Sequence, residues 1–167
     1  MHSFSVISAG QQQTEIIAQV LAPCLGPGDV ILLEGQLATG KTTFVQALAA
    51  ALGSHDQVTS PTFMLAQFYQ TRAPVLLHID AYRLSGVHEY RDLGLDDYID
   101  DVITVIEWGE KLINDFPCHL LLEINLDPGI PEKRMMTFSS SCQEWLSRLP
   151  ELRSDIESEL RTARSAS

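Results

Sequence analysis

An apolar run that leads into a glycine-containing turn most constrains the fold of this chain. Residues 29–35, DVILLEG, are almost continuously apolar, which is typical of a strand buried on both faces of a parallel sheet. Residues 41–53, KTTFVQALAAALG, are rich in Ala and Leu and end at a glycine, which predicts a helix. A buried strand followed at once by a helix favours the α/β class.

The turn between this strand and helix has the composition of a phosphate-binding loop. Residues 35–42, GQLATGKT, match the pattern G-x-x-x-x-G-K-[ST] at every fixed position. Glycines let backbone N–H groups converge on an anion, and the following helix directs the positive end of its dipole to the same place. The sequence therefore predicts a P-loop NTPase-like fold whose nucleotide phosphates are bound by Gly35, Gln36, Leu37, Ala38, Thr39, Gly40, Lys41, Thr42 and Thr43.

The remaining patterns alternate between strands and helices. We predict a mostly parallel sheet that is flanked by helices and has an antiparallel edge, within one domain of residues 1–150. The predicted strands are residues 3–8, 63–70, 74–82, 102–108, 119–126 and 134–140, and the helices are residues 14–25, 87–101 and 142–149.

The C-terminal tail, residues 151–167, follows Pro150, which we expect to break the last helix. Leu152, Ile156 and Leu160 recur every four residues. We expect a solvated and partly frayed terminal helix, and a helix that docks on the domain is the alternative.

Two acidic residues end predicted strands and are candidate ligands for a metal ion. Asp80 ends the run LLHID and Glu107 ends the run VITVIE. Ligands of open parallel sheets gather beyond the carboxyl ends of the strands, which favours a position for both acids beside Lys41 and Thr42. A single acid at a strand end more often caps a helix or a turn, but two of them in a chain with a complete phosphate loop favour metal or water positioning. Thr42, Glu107 and Asp80 are thus the candidate Mg²⁺ residues, whereas His78 is expected to be packed and hydrogen-bonded.

Charge and cysteine content limit the environment and the partners. The chain has 11 basic and 22 acidic residues, a net charge of −11, which disfavours direct tight binding to tRNA, DNA or an anionic membrane. No apolar run approaches the roughly 20 residues of a membrane span, and no signal peptide is expected. Its three cysteines are far apart without a C-x-x-C pair, which is typical of a reduced cytoplasmic chain without a disulfide framework or cysteine-based zinc site.

Four further stretches narrow the choice among phosphate-loop proteins. They are TSPTF (59–63), HIDAYRL (78–84), EYRDLGLDDYI (89–99) and VIEWGEK (105–111). In this order and spacing, over residues 5 to 140, the chain resembles the TsaE (YjeE) family of small bacterial ATPases required for the threonylcarbamoyl modification of adenosine in tRNA. The resemblance implies ATP and Mg²⁺ as cofactors. It also implies action on two partner proteins, TsaB and TsaD, of which TsaD performs the transfer.

The same resemblance implies roles for individual residues. Thr42 and Glu107 would hold Mg²⁺, with Asp80 close to it. The TSPTF loop, especially Ser60 and Thr62, would act as a switch near the γ-phosphate. The catalytic candidates are therefore Lys41, Asp80, Glu107 and Thr62. Trp108 would lie near the nucleotide, and residues 9–14, with Gln11 among them, would lie near the adenine.

The phosphate loop departs from the usual family loop, G-D-L-G-A-G-K-T. Gln36 replaces the acid, Ala38 replaces a glycine and Thr39 replaces an alanine. The fixed positions remain, so phosphate binding is expected, but an alanine at position 38 restricts the backbone there.

A phosphate loop also serves proteins with three other functions. A stand-alone small-molecule kinase needs a lid with cationic groups, whereas Arg83 and Arg91 are isolated in an acidic region. A guanine-nucleotide switch would carry N-K-x-D, but neither Asn114 nor Asn125 is followed by Lys. An ATP-binding assembly module that rarely turns over differs from an ATPase only in its kinetics.

Overall fold

The computed structural model describes residues 2–72 and 74–165, which form a seven-stranded sheet covered by helices. The strands are β1 (His2–Ser8), β2 (Val30–Glu34), β3 (Ala66–Tyr69), β4 (Leu76–Asp80), β5 (Ile103–Glu107), β6 (Leu120–Leu126) and β7 (Arg134–Ser140). The helices are α1 (Gln11–Leu21), α2 (Lys41–Ala51), α3 (Val87–Asp92) and α4 (Gln143–Ser165), with 3₁₀ turns at Ala22–Cys24, Asp96–Asp101 and Gly109–Leu112.

The strand order is β1-β7-β6-β2-β5-β4-β3. Strands β6, β2, β5 and β4 are parallel to one another. At the edges, β3 pairs antiparallel with β4, β7 pairs antiparallel with β6, and β1 pairs antiparallel with β7. The predicted α/β class with a mostly parallel sheet is confirmed, and the antiparallel strands lie at both edges rather than one. Because β2 is central, the loop that follows it lies between the carboxyl ends of its parallel neighbours.

The central strands bury both faces, as their apolar runs predict. Ile31 and Leu33 on β2 belong to a core with α1, α2 and α4, whereas Val30 and Leu32 belong to a second core on the opposite face. All four of these side chains are buried. In residues 2–72 and 74–165, no helix is both long enough and apolar enough to cross a membrane.

The predicted break at Pro150 is wrong, because α4 continues through it to Ser165. A proline inside a helix removes one hydrogen bond and costs about 3 kcal/mol. Burying a large aliphatic side chain stabilises a protein by about 1.5–3 kcal/mol, and Leu152, Ile156 and Leu160 are all buried in the core. Their burial outweighs the proline penalty. The helix therefore docks on the domain, and the expected boundary at residue 150 falls inside it.

The expectation of a chain without disulfides is also wrong in this structure. Cys118, just before β6, is joined to Cys142, just after β7, and their Cα atoms are 5.1 Å apart. The pairing of β6 with β7 sets Leu121 opposite Ser139, which brings the start of one strand next to the end of the other. Sequence spacing gave no sign of this pair because 24 residues separate the two cysteines.

Candidate nucleotide-binding site

The phosphate loop connects the end of β2 to the start of α2, and its glycines are required by its path. Gly35 has a φ of 141°, and a Cβ at this position would lie 2.2 Å from the carbonyl oxygen of Ile124 on β6. Gly40, which precedes the first residue of α2, has a left-handed φ of 104°. A side chain at Gly35 would therefore push β6 away from the loop.

Lys41 is buried inside the loop rather than extended into solvent. Its Nζ donates hydrogen bonds to the carbonyl oxygens of Gly35 at 2.7 Å and Gln36 at 3.0 Å, and it lies 3.7 Å from the centroid of the Trp108 ring. The burial of the ammonium lowers the pKa of Lys41. Loop carbonyls and an aromatic face thus hold the cation at the centre of the site.

Glu107 joins the end of β5 to the first turn of α2. Its Oε1 accepts a hydrogen bond from the Thr42 hydroxyl at 2.9 Å and lies 2.9 Å from Nε2 of His78. Only 3% of Glu107 is exposed. The predicted pairing of a strand-end carboxylate with the hydroxyl of the phosphate loop is therefore present in the structure.

Asp80 holds the TSPTF segment against the sheet. It lies directly opposite Glu107 in the pairing of β4 with β5. Its Oδ2 accepts hydrogen bonds from Thr62 at 2.8 Å and Ser60 at 3.3 Å, and its Oδ1 accepts one from the backbone of Tyr82. The hydroxyls of the segment that face the cavity are therefore both held by this one carboxylate.

Non-glycine residues with left-handed backbones concentrate at this end of the sheet. Among the described residues they are Ala38, Leu65 and Trp108, with φ values of 65°, 65° and 59°. Leu65 follows the TSPTF segment by two residues, and its carbonyl accepts the Asp80 backbone N–H at 2.9 Å. Sparsely populated backbone conformations cluster at functional sites, where the surrounding structure enforces them.

These elements surround a cavity of about 460 Å³. It is lined by Leu37, Ala38, Gly40, Lys41, Thr42, Thr43, Ser60, Thr62, Asp80, Tyr82, Glu107 and Trp108. The structure thus brings together eleven residues predicted from the sequence for the nucleotide, the metal, catalysis or the switch segment, and it adds Tyr82. Gly35 and Gln36 are outside this lining and contribute the carbonyls that hold Lys41.

A second cavity of about 260 Å³ adjoins the first across Gly40 and Thr43. Gln11 and Thr39, also predicted for the nucleotide, lie here instead. The full lining is Gly10, Gln11, Thr14, Thr39, Gly40, Thr43, Pro131, Glu132 and Arg134. The two cavities meet at the start of α2, so one elongated ligand can occupy both.

Arg134, at the start of β7, contacts the phosphate loop and is not marked by any local sequence motif. Its Nε donates to the carbonyl oxygen of Thr39 at 3.2 Å, and its Nη1 donates to that of Pro131 at 2.7 Å. The parallel pairing of β6 with β2 carries the β6–β7 turn to the loop. Only the strand order could have identified Arg134, and no local motif encodes that order.

The donor set suits a hard divalent cation. Thr42, Glu107 and Asp80 offer hydroxyl and carboxylate oxygens, and Mg²⁺ is commonly held by one or two carboxylates together with phosphate oxygens. Within residues 2–72 and 74–165, no group of three or more His, Cys, Asp and Glu side chains could hold a metal ion by itself. The arrangement therefore fits an ion that binds together with a phosphate ligand.

Comparisons with known proteins show the family to which this chain belongs. The family described as "Threonylcarbamoyl adenosine biosynthesis protein TsaE" matches residues 8–136. The chain is 44% identical to the tRNA threonylcarbamoyladenosine biosynthesis protein TsaE of Streptomyces coelicolor over 132 residues, which are 75% of this chain and 88% of that protein. It is 35% identical to the protein of the same name from Bacillus subtilis over 130 residues, 77% of this chain and 80% of that one.

A solved structure supports the same assignment at the level of the fold. The crystal structure of YdiB from Bacillus subtilis superimposes with a TM-score of 0.75 and 26% sequence identity, covering 95% of this chain and 96% of that chain. Together with the family match over residues 8–136, this likeness shows that the chain belongs to the TsaE family, which is involved in tRNA threonylcarbamoyladenosine biosynthesis.

Proposed function

We propose that this protein binds and hydrolyses Mg²⁺-ATP and thereby serves the threonylcarbamoyl modification of adenosine in tRNA, acting on a complex of TsaB and TsaD. The observation that carries the proposal is the 2.9 Å hydrogen bond between Thr42, in a complete phosphate loop, and Glu107 at the end of a neighbouring strand. A hydroxyl and a carboxylate at these positions are the side chains a P-loop NTPase uses for its metal ion.

In the proposed complex, the loop from Gly35 to Thr42 binds the phosphates, and Thr42 and Glu107 hold Mg²⁺ with Asp80 close by. The bound ion would neutralise phosphate charge. Lys41 exchanges its bonds to loop carbonyls for bonds to the outer phosphates, because an anion attracts the ammonium more strongly than a neutral carbonyl does.

The TSPTF segment senses the outer phosphate in this proposal. Ser60 and Thr62 share the Asp80 carboxylate through hydrogen bonds of 3.3 Å and 2.8 Å. Both hydroxyls line the same cavity as the phosphate loop, so a ligand there competes with Asp80 for them. Loss of the γ-phosphate on hydrolysis would then return both hydroxyls to Asp80 and reset the segment.

Partner action is supported by the apolar surface beside this cavity. Leu37 is 82% exposed, Phe63 is 90% exposed and Met64 is 67% exposed. Leu37 lines the cavity, and Phe63 and Met64 directly follow Thr62, which also lines it. Exposed apolar patches mark surfaces for protein contacts. Because Leu37 belongs to the phosphate loop and Phe63 to the TSPTF segment, a partner bound here would respond to the nucleotide.

The kinase alternative has less support. Phosphoryl transfer to a small molecule requires cations that close over the transferred group. In the described part of the chain, the cavity of about 460 Å³ has Lys41 as its one cationic lining residue. Arg83 instead donates to the backbone carbonyl of Thr62 at 3.5 Å and lies 5.9 Å from the Phe63 ring.

The proposal is tested by measuring ATP hydrolysis with and without purified TsaB and TsaD. We expect the partners to stimulate the rate. Lys41→Ala should abolish turnover, whereas Arg153→Ala, which removes the same charge from the exposed face of α4, should leave it unchanged. Normal hydrolysis by Lys41→Ala, or a phosphorylated metabolite formed at the expense of ATP, would contradict the proposal.

A second measurement separates the metal residues from the phosphate loop. Glu107→Ala and Asp80→Ala should raise the Mg²⁺ concentration that gives half-maximal hydrolysis more than they weaken ATP binding. The reason is that both carboxylates belong to the oxygen donor set described above. If a variant keeps the Mg²⁺ dependence of the wild type, the residue replaced in it does not belong to the metal site.

A further inference from the structure

His78 contacts Glu107, and this contact has no role in the function proposed above. It lies on β4, two residues before Asp80 and therefore on the same face of the sheet. The side chain is fully buried, and its Nε2 lies 2.9 Å from Oε1 of Glu107 on the neighbouring strand. The sequence predicts a packed, hydrogen-bonded histidine here, and the structure supplies the partner.

The hydrogen-bond chemistry defines the direction of this contact. A carboxylate accepts hydrogen bonds and does not donate them, so Nε2 of His78 carries the proton that points at Glu107. The other ring nitrogen, Nδ1, is buried and has no hydrogen-bond partner among the described residues. A proton on Nδ1 would be a buried donor without an acceptor, so the neutral form protonated at Nε2 fits the site best.

Within the described part of the chain, the two hydrogen bonds to the Glu107 side chain end on the same oxygen. Oε1 accepts from Thr42 and from His78, each at 2.9 Å. These two bonds leave Oε2 for a cation. The hydroxyl oxygen of Thr42 is itself a proposed metal ligand. The contact between His78 and the site, in contrast, is its hydrogen bond to Glu107.

We propose that His78 is a positioning residue, which holds the Glu107 carboxylate in the orientation that binds Mg²⁺ in the nucleotide complex. The inference rests on the proposed Mg²⁺-ATP function. Hydrogen-bond partners of metal ligands fix the orientation of the ligand, and their loss typically lowers metal affinity by about 10- to 100-fold. A histidine that only fills the core would not affect metal affinity once the protein is folded.

Two amide side chains of different length distinguish a residue that positions Glu107 from one that only fills the core. In His78→Gln the amide nitrogen extends to the position of Nε2 and can donate to Glu107. In His78→Asn the amide reaches only the position of Nδ1, and His78→Phe keeps the ring shape without a donor. We expect Gln to retain metal affinity within about threefold, and Asn and Phe to lose about tenfold or more.

The readout is binding and not activity. Free Mn²⁺ is measured by electron paramagnetic resonance while the ion is titrated into protein that holds a non-hydrolysable ATP analogue. Nucleotide binding without metal and the thermal unfolding midpoint are measured for each variant as controls. If the folded Asn and Phe variants bind Mn²⁺ like the wild type, the positioning role is refuted. If the wild type shows no nucleotide-dependent Mn²⁺ binding, it is the Mg²⁺-ATP proposal that fails.

A measurement on the wild-type chain covers the case in which the Asn and Phe variants do not fold. The imidazole nitrogens are labelled with ¹⁵N, and the His78 signals are assigned by their absence from His78→Gln. We expect Nε2 to be protonated and its resonance to shift when Mg²⁺ is added to the complex with the ATP analogue. The inference would be overturned if Nε2 carries no proton, or if the chemical shift of His78 does not change when Mg²⁺ is added.

Discussion

Ala38 shows at the scale of one residue how a sequence departure is accommodated. Its φ of 65° lies in the left-handed region, where a Cβ costs roughly 1–2 kcal/mol. The family loop usually has a glycine at this position, so the restriction expected from the sequence is present in the backbone. Hydrogen bonds from Lys41 to the neighbouring carbonyls of Gly35 and Gln36 help to keep the loop in this conformation.

Replacing Ala38 by glycine should therefore stabilise the protein. We expect the free energy of unfolding to rise by about 1 kcal/mol, since the steric cost at positive φ is removed. The matched control is Ala50→Gly, at an exposed position in α2, which should lower the free energy of unfolding by about 1 kcal/mol. Both are measured by urea unfolding, and a loss of stability in both variants would show that Ala38 is unstrained.

Individual residues of the site were more predictable than their arrangement. A local pattern predicts the phosphate loop, Asp80 and Glu107: a glycine spacing, or an acid at the end of an apolar run. Tyr82 lies within the HIDAYRL stretch, two residues after Asp80, whereas Arg134 has no such pattern and reaches the loop through tertiary structure. Contacts between distant segments follow from the strand order, which local sequence does not specify.

Element boundaries show where local propensity gives way to packing. The sequence predicts seven strands, and the described residues form a seven-stranded sheet. The last helix was predicted to end at Pro150, which is a sound local rule. The apolar side chains beyond the proline are buried in the core, and α4 continues to Ser165.

Truncating the buried side of α4 should destabilise the whole protein. Ile156 is completely buried, so Ile156→Ala should lower the free energy of unfolding by about 2–5 kcal/mol. Ser154→Ala, on the exposed side of the same helix, should change it by less than about 0.5 kcal/mol. Chemical unfolding followed by circular dichroism measures both, and equal small effects would mean that the tail is frayed in solution.

The disulfide should stabilise the junction between the sheet and α4. Closing a loop of this length contributes about 2–4 kcal/mol, mainly because it restricts the unfolded chain. We expect a reducing agent to lower the unfolding temperature of the wild type. A variant with both Cys118→Ser and Cys142→Ser should lack that response, and mass spectrometry of the unreduced protein checks that the bond is present. An unfolding temperature independent of reductant would contradict the prediction.

At the scale of the whole molecule, the chain carries an excess of negative charge. Acidic residues outnumber basic ones by 22 to 11, and several arginines are already paired with carboxylates. Arg91 contacts Asp115 and Arg148 contacts Asp29, each at 2.9 Å. Affinity for nucleic acid comes largely from cations that displace counterions from phosphates, and these cations are occupied.

We therefore predict that the isolated protein does not bind tRNA tightly at physiological ionic strength. The expected result of a fluorescence-anisotropy titration is binding weaker than about 1 μM, the range of non-specific nucleic-acid binding. A second titration adds TsaB, TsaD and ATP, and recruitment in that mixture alone is the expected pattern. Submicromolar binding by the protein alone, with a steep dependence on salt, would show direct recognition of the tRNA.

The position of β1 at the edge of the sheet sets the order in which a ribosome can complete this fold. Among residues 2–72 and 74–165, β1 pairs with β7 alone, so His2 lies opposite Ser140, and α1 packs against α4. At about 5–20 residues per second, synthesis of the intervening chain takes on the order of 10 s. During that time Phe4 and Val6 have no strand to join. A ribosome stalled before residue 134 should therefore hold a chain whose N-terminal strand is the first part cut by a protease.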